Sequence, residues 1–343
     1  TIMISTYNEA STINERLQNL YEQDYPRSLL DVIVVDDASN DRTAELVNSW
    51  ALAHREIGVK LICEPTRSGK VHAMNKGLVE VQENSEILVL TDADCLWENN
   101  AVKEAVKYLA DKLVGAVTCT IFPMNLIDAE TSRRQFDVVY RGFNNKVRVA
   151  ESKLWSTPIA HGPFIAYRQK CLKEIGGIPN WGIDDCTPFT LIALNGYRAV
   201  QVPDVLAFEL APTSLSENIR VRLKRARLLV SHFAGVWRTM AASPAPNVFR
   251  RIVGVEAFLH TVNPWLLISS GILLTIGLWI KGLTLLTLLG MFLALVLILA
   301  VPQLNVWILT QLFLAAATIL HMLGRELVTW TPVRPKHRRN VSK

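Results

Sequence analysis

Two carboxylates one residue apart, Asp92 and Asp94, are the first residues of this sequence whose types and spacing suit a chemical task. They follow the apolar run 87–90, which predicts a buried strand that ends at the acids. Carboxylate oxygens in this arrangement suit Mg²⁺ or Mn²⁺, and such an ion can bind a diphosphate. The alternative is a solvated loop, because this acid spacing is frequent. The position at the end of a strand favours the metal site.

A second pair of acids, Asp184 and Asp185, is directly adjacent in sequence. Two neighbouring carboxylates repel each other, which can raise the pKa of one of them and tune it as a proton acceptor. The alternative is structural, because a helix is expected over 187–194 and acids stabilise the N-terminus of a helix. The two interpretations are compatible, and the residues alone leave both open.

The elements that must position these acids alternate between strand and helix. Strands are expected over 1–5, 31–35, 59–63 and 87–91, and helices over 10–20, 41–54 and 71–81, the first with Ser11 as its N-cap. This alternation predicts a doubly wound α/β sheet. In such sheets ligands bind beyond the carboxyl ends of the strands. Three polar clusters lie at such ends, namely residues 6–9, Asp36 with Asp37, and the acids of 92–94.

Several other nucleotide sites are excluded by the motifs that the sequence lacks. No G-x-G-x-x-G follows the first strand, which argues against a dinucleotide-binding fold. The fragment Ser68-Gly69-Lys70 lacks the upstream glycine of a P-loop. The five cysteines are odd in number and show no C-x-x-C spacing, so we expect no disulfide framework and a reducing, cytosolic setting for the globular part.

The composition separates the chain into regions of different charge. Of the 343 residues 50% are hydrophobic and 20% are charged, and the mean hydropathy is +0.22, which excludes a disordered chain. Residues 1–216 carry a net charge of −7, residues 217–251 one of +7, and residues 325–343 one of +5. An acidic body with two basic bands is not the footprint of a nucleic-acid-binding protein, so we expect no nucleic-acid partner.

The apolar residues are concentrated near the C-terminus. No Asp, Glu, Lys or Arg occurs in 257–280 or in 282–324, and about 20 apolar residues suffice to cross a bilayer. We expect three spans, over 258–280, 283–301 and 304–323, with Asn263-Pro264 kinking or delaying the first and Pro302-Gln303 forming a turn. A large buried core is the alternative. Because Thr1 lies inside a predicted strand, we also expect residues upstream of it.

A series of ordered motifs closely resembles the family-2 glycosyltransferases. The resemblance covers nearly all of residues 1–230 and extends to the membrane-embedded branch that includes cellulose, hyaluronan, chitin and poly-N-acetylglucosamine synthases. The motifs that carry it are Ser5-Thr6-Tyr7-Asn8-Glu9, 34–43, Gly69-Lys70 with 73–75, Asp92-Ala93-Asp94, 162–168, 175–177, Asp184-Asp185, 196–198 with 202–203, 209–212, and Trp330-Thr331-Pro332-Val333-Arg334.

The resemblance implies a Rossmann-like nucleotide-diphospho-sugar transferase fold, known as GT-A, followed by interfacial and transmembrane helices. It implies a cytosolic catalytic domain over 1–215, basic interfacial helices over 216–256, membrane helices over 257–324 and a basic tail over 325–343. It implies a UDP-sugar donor, Mg²⁺ or Mn²⁺, membrane lipids as surroundings, and a growing glycan or a lipid as acceptor.

The resemblance also implies a role for individual residues. Asp185 would be the catalytic base, with Asp184 beside it, and Asp94 with Asp92 would bind the metal. Gly162, His161 and Trp181 would face the acceptor, although a lone histidine is more often structural. The residues expected to bind the donor nucleotide are Thr6, Tyr7, Glu9, Asp36, Asp37, Lys70, Asp92 and Arg227. Of the two neighbouring acids in that set, Asp37 is favoured for the base or ribose.

The basic segment 220–229 departs from the family pattern. Where the membrane synthases have Gln-x-x-Arg-Trp, this chain has Lys224-Arg225-Ala226-Arg227-Leu228, so the tryptophan that helps to hold an acceptor sugar is absent. Arg227 could still reach the diphosphate, and Lys224 could add charge. The alternative is an interfacial helix whose cations meet lipid headgroups, and we expect both roles.

These features predict an integral membrane, inverting hexosyltransferase that synthesises or extends a β-linked polysaccharide, with its catalytic domain on the cytosolic face. Because of the altered basic segment, transfer of a single sugar to a membrane lipid, of the ceramide or polyprenyl-phosphate type, stays as the alternative. A non-catalytic scaffold or transporter is a third hypothesis, and the acids Asp37, Asp94 and Asp185 argue against it. Three spans would place the basic tail outside the cell, against the positive-inside rule.

Overall fold

The computed structural model describes residues 1–124, 132–210 and 215–323. Within those ranges the chain forms eight strands, which are β1 (Ile2–Thr6), β2 (Asp31–Asp36), β3 (Gly58–Cys63), β4 (Ile87–Thr91), β5 (Cys95–Trp97), β6 (Val114–Pro123), β7 (Ile165–Arg168) and β8 (Arg198–Glu209). It also forms twelve helices, which are α1 (Ile13–Tyr21), α2 (Thr43–Ala53), α3 (Lys70–Val79), α4 (Ala101–Leu109), α5 (Ser132–Leu154), α6 (Gln169–Glu174), α7 (Cys186–Leu194), α8 (Leu215–Met240), α9 (Asn247–Thr261), α10 (Asn263–Ile280), α11 (Thr284–Ala300) and α12 (Pro302–Met322).

The strands form one mixed sheet in the order β3-β2-β1-β4-β7-β6-β8-β5. The first four are parallel, as the alternation of strand and helix predicts. β7 then lies antiparallel between β4 and β6, with Ile165 opposite Leu90. The start of β7 therefore lies beside the end of β4, and the chain that enters β7 passes the acids that follow β4.

The core lies on both faces of this sheet, because neighbouring strand residues point to opposite sides. Ile2 and Ile4 of β1 belong to the cluster on the face of α1 and α2, whereas Met3 belongs to the cluster on the face of α3. The parallel strands β1, β2 and β4 are buried on both faces, which explains their continuous apolar runs.

The prediction that Ser11 caps α1 is wrong, because the helix begins at Ile13 with Thr12 at the cap position. The backbone amides of Thr12 and Ile13 both donate to the carbonyl oxygen of Glu9, at 2.9 Å. The Thr12 hydroxyl donates to Glu9 Oε2 at 2.8 Å, which fixes the Glu9 carboxylate at the start of the helix. The first turn is thus built around Glu9 rather than around Ser11.

The C-terminal apolar residues form three helices whose starts differ from the predicted spans. The first expected span is divided, since α9 ends at Thr261 and α10 begins at Asn263. Pro264 lies in the first turn of α10 and Pro302 in that of α12, where proline loses no hydrogen bond. The turn before α12 is therefore at Val301, which is extended, and not at Pro302-Gln303.

Among the described residues, two of these helices are long enough and apolar enough to cross a membrane, judged by length and composition. They are α10 and α12, whereas α11 is shorter at 17 residues. Only 6% of the apolar window of α10 and 28% of that of α12 is buried. The alternative of a large buried core for these segments is therefore wrong. The basic tail 325–343, with its Trp330 motif, lies outside the described residues.

The basic helix α8 lies between the sheet domain and the apolar helices. It contacts α7 on one side and α12 on the other. Ala226 and Val230 of α8 form a buried cluster with Leu314 and Ala317 of α12. This packing joins the helix that carries the altered basic segment directly to a candidate membrane span.

Candidate donor and catalytic site

The loops after β1 and β2 hold each other in place at the carboxyl edge of the sheet. Thr6 Oγ1 donates to Asp36 Oδ1 at 3.1 Å, and Asp36 Oδ2 accepts from the Ser39 amide at 3.1 Å. The Asn8 side chain accepts from the Asn40 amide at 2.8 Å, and Asn8 itself has a φ of 56°, in the left-handed region that asparagine tolerates. Asp36 and Thr6 are nearly fully buried, so they support the two loops from inside the protein.

Asp37 connects the second loop to the turn that presents Lys70. Its Oδ1 accepts from the Ser68 amide at 2.7 Å and its Oδ2 from the Gly69 amide at 2.9 Å. Gly69 has a φ of 94°, which a residue with a side chain adopts only with strain, and α3 begins directly after it. Both oxygens of Asp37 are therefore engaged by the protein, and a contact with a nucleobase stays a prediction.

The ring of Tyr7 lies under the guanidinium of Arg67, whose Cζ is 3.7 Å from the ring centroid. Arg67 belongs to the same turn that Asp37 holds. Arg67 was not among the residues expected from the sequence, although its position just before the Gly69-Lys70 motif could have indicated it. The two side chains together form a flat, cationic surface at the expected nucleotide end of the site.

Lys70 joins two acids that are 92 residues apart in sequence. Its Nζ lies 2.7 Å from Asp92 Oδ1 and 2.5 Å from Asp184 Oδ2. Burial alone would lower the pKa of Lys70, but the charges of Asp184 and Asp92 raise that pKa well above its ordinary value. Lys70 is therefore positively charged at physiological pH, and it brings the predicted metal motif next to the predicted base.

The carboxylates of Asp94, Asp92 and Glu9 repel one another, and the positive charge near them does not balance this repulsion. Burial, and then the carboxylates of Asp92 and Glu9, raise the pKa of Asp94 to about 7. A divalent cation would relieve this repulsion, so the donor set fits Mg²⁺ or Mn²⁺. No three His, Cys, Asp or Glu side chains of the described chain converge closely enough to hold an ion by themselves. An ion here would take its remaining ligands from a diphosphate and water.

Gly162 lies between the two groups of acids. Its amide donates to Asp185 Oδ2 at 3.1 Å. A Cβ at this position would lie 2.9 Å from Asp92 Oδ2 and 3.4 Å from Asp185 Oδ2. The absence of a side chain thus lets both carboxylates face the same small space.

Asp185 is the N-cap of α7, where its Oδ1 accepts from the Cys186 amide at 2.5 Å. The structural interpretation of this acid and the catalytic one are therefore compatible. Burial, and then the neighbouring charge of Asp184, raise the pKa of Asp185 to about 6. A carboxylate in this state is ionised at neutral pH and is more basic than an ordinary aspartate.

Lys224 of α8 interacts electrostatically with Asp184 and Asp92. Burial lowers the pKa of Lys224 to about 8, against the opposing charges of Asp184 and Asp92. The predicted contact, Arg227, is half-buried one helical turn further along. Both residues were expected from the basic segment, Arg227 to reach the diphosphate and Lys224 to add charge, and the fold places Lys224 within the electrostatic influence of Asp184 and Asp92.

The two expected acceptor side chains have largely structural surroundings. Burial, and then the nearby arginines, lower the pKa of His161 to about 3, so His161 is neutral. Its amide donates to Thr118 Oγ1 at 2.9 Å. The ring of Trp181 lies against Gly235 of α8, where an added Cβ would be 2.2 Å from the ring. Roles in acceptor binding stay predictions for both residues.

Three comparisons with known proteins bear on this site. The profile of the family described as "Glycosyl transferase family 2" matches residues 1–176. The probable glycosyltransferase YdaM of Bacillus subtilis is 27% identical over 235 residues, which are 66% of this chain and 54% of that protein. A poly-beta-1,6-N-acetyl-D-glucosamine synthase of Staphylococcus epidermidis is 21% identical over 264 residues, which are 74% of this chain and 61% of that protein.

A solved structure gives a likeness over almost the full length. The mannosyltransferase PcManGT from Pyrobaculum calidifontis, in complex with GDP-Man and Mn²⁺, is 39% identical with a TM-score of 0.81. The match covers 95% of this chain and 87% of that protein. By contrast, the chain spans between a half and two thirds of the length of the curated relatives it matches.

Proposed function

The chain belongs to glycosyl transferase family 2, and on that premise we propose that it is a membrane-bound, inverting hexosyltransferase with a nucleotide-diphosphate-sugar donor. The observation that carries this proposal is the convergence on Gly162. There the carboxylate of Asp92, from the metal motif, and that of Asp185 face one small space. Lys70, which contacts Asp92 and Asp184, supplies a fixed positive charge at its edge.

In this mechanism Asp185 is the base. The acceptor hydroxyl loses its proton to Asp185 Oδ2 as its oxygen attacks the anomeric carbon from the face opposite the diphosphate. The bond between the anomeric carbon and the diphosphate oxygen breaks in the same step, so the configuration inverts. The amides of Gly162 and Cys186, which donate to the two oxygens of Asp185, keep the carboxylate oriented.

The leaving diphosphate needs positive charge. Asp94 and Asp92 would hold Mn²⁺ or Mg²⁺, which supplies charge neutralisation to the diphosphate when bound. Lys70 and the α8 cations Lys224 and Arg227 add to this charge from the protein. The nucleotide would bind above the loops of Thr6, Tyr7, Glu9, Asp36 and Asp37, with the Arg67–Tyr7 surface beside the base.

We propose GDP-mannose as the donor in preference to the UDP-sugar that the sequence analysis expected. The support is the likeness to the Pyrobaculum calidifontis protein, whose structure contains GDP-Man and Mn²⁺ and which is 39% identical over 95% of this chain. The curated relatives are less similar, at 21% and 27% identity over shorter segments. UDP-sugars remain the competing donors in the test below.

We propose that the acceptor is presented at the membrane surface, with the catalytic body in the cytosol, where nucleotide sugars are available. The support is the direct packing of α12, a candidate span, on α8, which carries Lys224. A single sugar transferred to a lipid fits this position. A β-linked polysaccharide is the second candidate, and the likeness to a poly-beta-1,6-N-acetyl-D-glucosamine synthase favours it.

A donor screen tests this function. Purified protein in detergent is incubated with radiolabelled GDP-mannose, UDP-glucose or UDP-N-acetylglucosamine, a lipid extract and Mn²⁺, and then again with excess EDTA. We expect transfer and nucleotide release from GDP-mannose only, lost with EDTA and restored by added Mn²⁺. Transfer from a UDP-sugar alone would refute the proposed donor, and transfer unaffected by EDTA would refute the metal.

The length of the product separates the two acceptors. Thin-layer and size-exclusion analysis of the labelled product should show one hexose on an organic-soluble lipid. Products of many sugars that remain in the aqueous phase would instead establish polysaccharide synthesis.

A further inference from the structure

Arg16 of α1 is a fully buried arginine whose hydrogen-bond partners are both uncharged. Its side chain is 0% exposed. Nη1 donates to Asn19 Oδ1 at 2.6 Å, and Nη2 donates to Thr91 Oγ1 at 2.9 Å. Moving a charge out of water is costly even when it is paired with another charge. Burial lowers the pKa of Arg16, and the nearby Cys95, Asp92 and Asp94 raise it, so the negative charges that face this buried cation belong to the predicted metal motif.

The position of Arg16 suggests what it does, because it lies behind the metal motif. Thr91, which accepts its hydrogen bond, immediately precedes Asp92. The guanidinium also lies over the ring of Trp97, with Cζ 4.0 Å from the ring centroid. Arg16 thus touches both ends of the segment 91–97 that contains Asp92 and Asp94.

Both of these contacts lead to the same atom, the carbonyl oxygen of Pro163. Thr91 Oγ1 donates to this oxygen at 2.7 Å, and Trp97 Nε1 donates to it at 2.7 Å. A hydroxyl has one proton, and the contact of Thr91 Oγ1 with Pro163 O is shorter than its contacts with Asp92 O and Cys95 Sγ, both at 3.3 Å. The hydrogen bond that Thr91 accepts from Arg16 occupies a lone pair of the same oxygen and so limits rotation of the hydroxyl. Arg16 thereby orients the donor that holds Pro163.

Pro163 directly follows Gly162, the residue between the two groups of acids. The Gly162 amide donates to Asp185 Oδ2, and its Cα faces Asp92 Oδ2. A shift of the Pro163 carbonyl would therefore move the amide that orients the base relative to the metal motif. The chain of contacts runs from Arg16 through Thr91 and Pro163 to Gly162 and Asp185.

We propose that Arg16 is a positioning residue for the transfer reaction, which acts through Thr91 and Pro163 to keep the base in register with the metal motif. This inference rests on the proposed function. It adds that the separation between donor and base depends on a buried cation that touches neither substrate. A misplacement of about 1 Å in such a site can cost on the order of a hundredfold in rate.

The test is a comparison of Thr91→Val, Thr91→Ser and Thr120→Val. Thr91→Val keeps the shape of the side chain but removes every hydrogen bond of its hydroxyl, to Pro163, Asp92 and Cys95 as well as from Arg16, whereas Thr91→Ser keeps the hydroxyl. Thr120 is a matched control, because it is a buried threonine of β6 whose hydroxyl donates to Val202 O and accepts from Gln201 Nε2, with no hydrogen bond to Arg16 or Pro163. Steady-state kinetics gives kcat and the donor KM, and calorimetry gives the affinity for GDP with Mn²⁺.

We expect Thr91→Val to lower kcat by about tenfold or more, with the donor KM and the GDP affinity within about twofold of wild type. Thr91→Ser should restore most of kcat, and Thr120→Val should leave it unchanged. An unchanged kcat in Thr91→Val, an equal loss in Thr120→Val, or a failure of Thr91→Ser to restore kcat would each overturn the proposal.

Hydrogen exchange at Gly162 gives a readout that does not depend on turnover. In Thr91→Val and in Arg16→Met the Gly162 amide should exchange about tenfold faster than in wild type, and in Thr91→Ser at the wild-type rate. Equal exchange in all four proteins would refute the positioning role. If wild type turns over no donor but the exchange rates differ as expected, the proposed function fails while the positioning of Gly162 stands.

Discussion

Two adjacent carboxylates, Asp184 and Asp185, have opposite surroundings. Burial alone would raise the pKa of Asp184, but the charge of Lys70 lowers it, so Asp184 is firmly ionised. Burial, and then the negative charge of Asp184, raise the pKa of Asp185 to about 6. Neighbouring acids whose pKa values are moved apart mark a division of labour. We propose charge balance as the role of Asp184 and proton transfer as the role of Asp185.

Replacing Asp185 by asparagine tests this assignment with little disturbance of the fold. Asparagine caps a helix about as well as aspartate, so α7 should stay intact. We expect kcat to fall by about 10²–10⁴-fold, the usual contribution of a general base, while GDP still binds in calorimetry. The matched control is Asp204→Asn, at an exposed acid of β8. Wild-type turnover in Asp185→Asn would contradict the role of this residue.

The role of Asp185 should also appear in the pH dependence of the rate, as an acidic limb, that is, a fall in kcat/KM at low pH. Only ionised Asp185 accepts a proton, and its pKa is raised to about 6. We therefore expect kcat/KM to fall tenfold for each pH unit below that value and to be constant above it up to the pKa of Lys224, which is lowered to about 8. Steady-state rates between pH 5 and 8 measure this limb.

The Mn²⁺ concentration separates this limb from the titration of Asp94, whose pKa is raised to about 7 without an ion. Protons and Mn²⁺ compete for Asp94, so a limb due to Asp94 moves to lower pH as Mn²⁺ is increased. A limb due to Asp185 stays in place. If the whole limb moved with Mn²⁺, Asp185 would not be the titrating group.

At the scale of elements, the position of α8 depends on the loop that carries the acids. Gly182, with a φ of 74°, approaches both Thr187 Oγ1 and the backbone of His232 in α8. Thr187 Oγ1 accepts from the Ile183 amide at 2.8 Å and is hydrogen-bonded to His232 Nδ1 at 3.0 Å. The loop and α8 are thus joined beside Asp184, and α8 in turn packs on α12.

Replacement by alanine should have opposite effects on the free energy of unfolding at two helical glycines, Gly235 and Gly254. In Gly235→Ala the new Cβ would lie 2.2 Å from the Trp181 ring. We expect this to lower the free energy of unfolding by about 1–3 kcal/mol through overpacking. In Gly254→Ala of α9 nothing lies within 4 Å of the new Cβ, so the higher helix propensity of alanine should add about 0.5–1 kcal/mol. Thermal unfolding in detergent measures both, and a stable Gly235→Ala would show that Trp181 does not pack against α8.

At the scale of the whole molecule, charge and apolar surface are segregated along the chain. The body 1–216 has a net charge of −7, and the band 217–251 has one of +7. The apolar helices follow this band, and most residues of α10 are exposed. A basic band beside exposed apolar helices suits a protein whose membrane surface lies at that band.

A pair of leucines with equal exposure tests whether α10 lies in lipid. Leu273 of α10 and Leu52 of α2 are both 68% exposed. In water, arginine at either site is tolerated. In a bilayer, an arginine at the centre of a helix costs about 2.5–3.5 kcal/mol of insertion free energy.

We expect Leu273→Arg to lower the fraction of protein that stays in the membrane pellet after alkaline carbonate, relative to wild type and Leu52→Arg, whereas α12, the second candidate span, still holds part of the protein in the membrane. Immunoblots of both fractions measure the distribution. Release of wild type itself, or retention of Leu273→Arg equal to that of Leu52→Arg, would contradict a membrane-spanning α10.

The sequence by itself determined the first half of the sheet, because the signals for it are local. The parallel strands β1 to β4 are continuous apolar runs that end in polar clusters, and parallel strands bring such ends to one edge. The strand ends at Thr6, Asp36 and Asp92 were predictable for this reason. The apolar helices were also predictable from composition. The delay at Asn263-Pro264 agrees with the start of α10 at Asn263, whereas Pro302 begins α12 where a turn was expected.

Only the tertiary structure decided how the second half meets the first. β7 inserts antiparallel beside β4, so Gly162 comes to lie against Asp92, and no local pattern encodes a pairing over 70 residues. The link from Lys70 to Asp184, the approach of Lys224 and the buried Arg16 follow from that same arrangement. Residue types and spacing identified the candidate acids Asp92, Asp94, Asp184 and Asp185. Long-range packing decided which of them share one site, because the contacts that join them are formed by the folded chain and not by neighbouring residues.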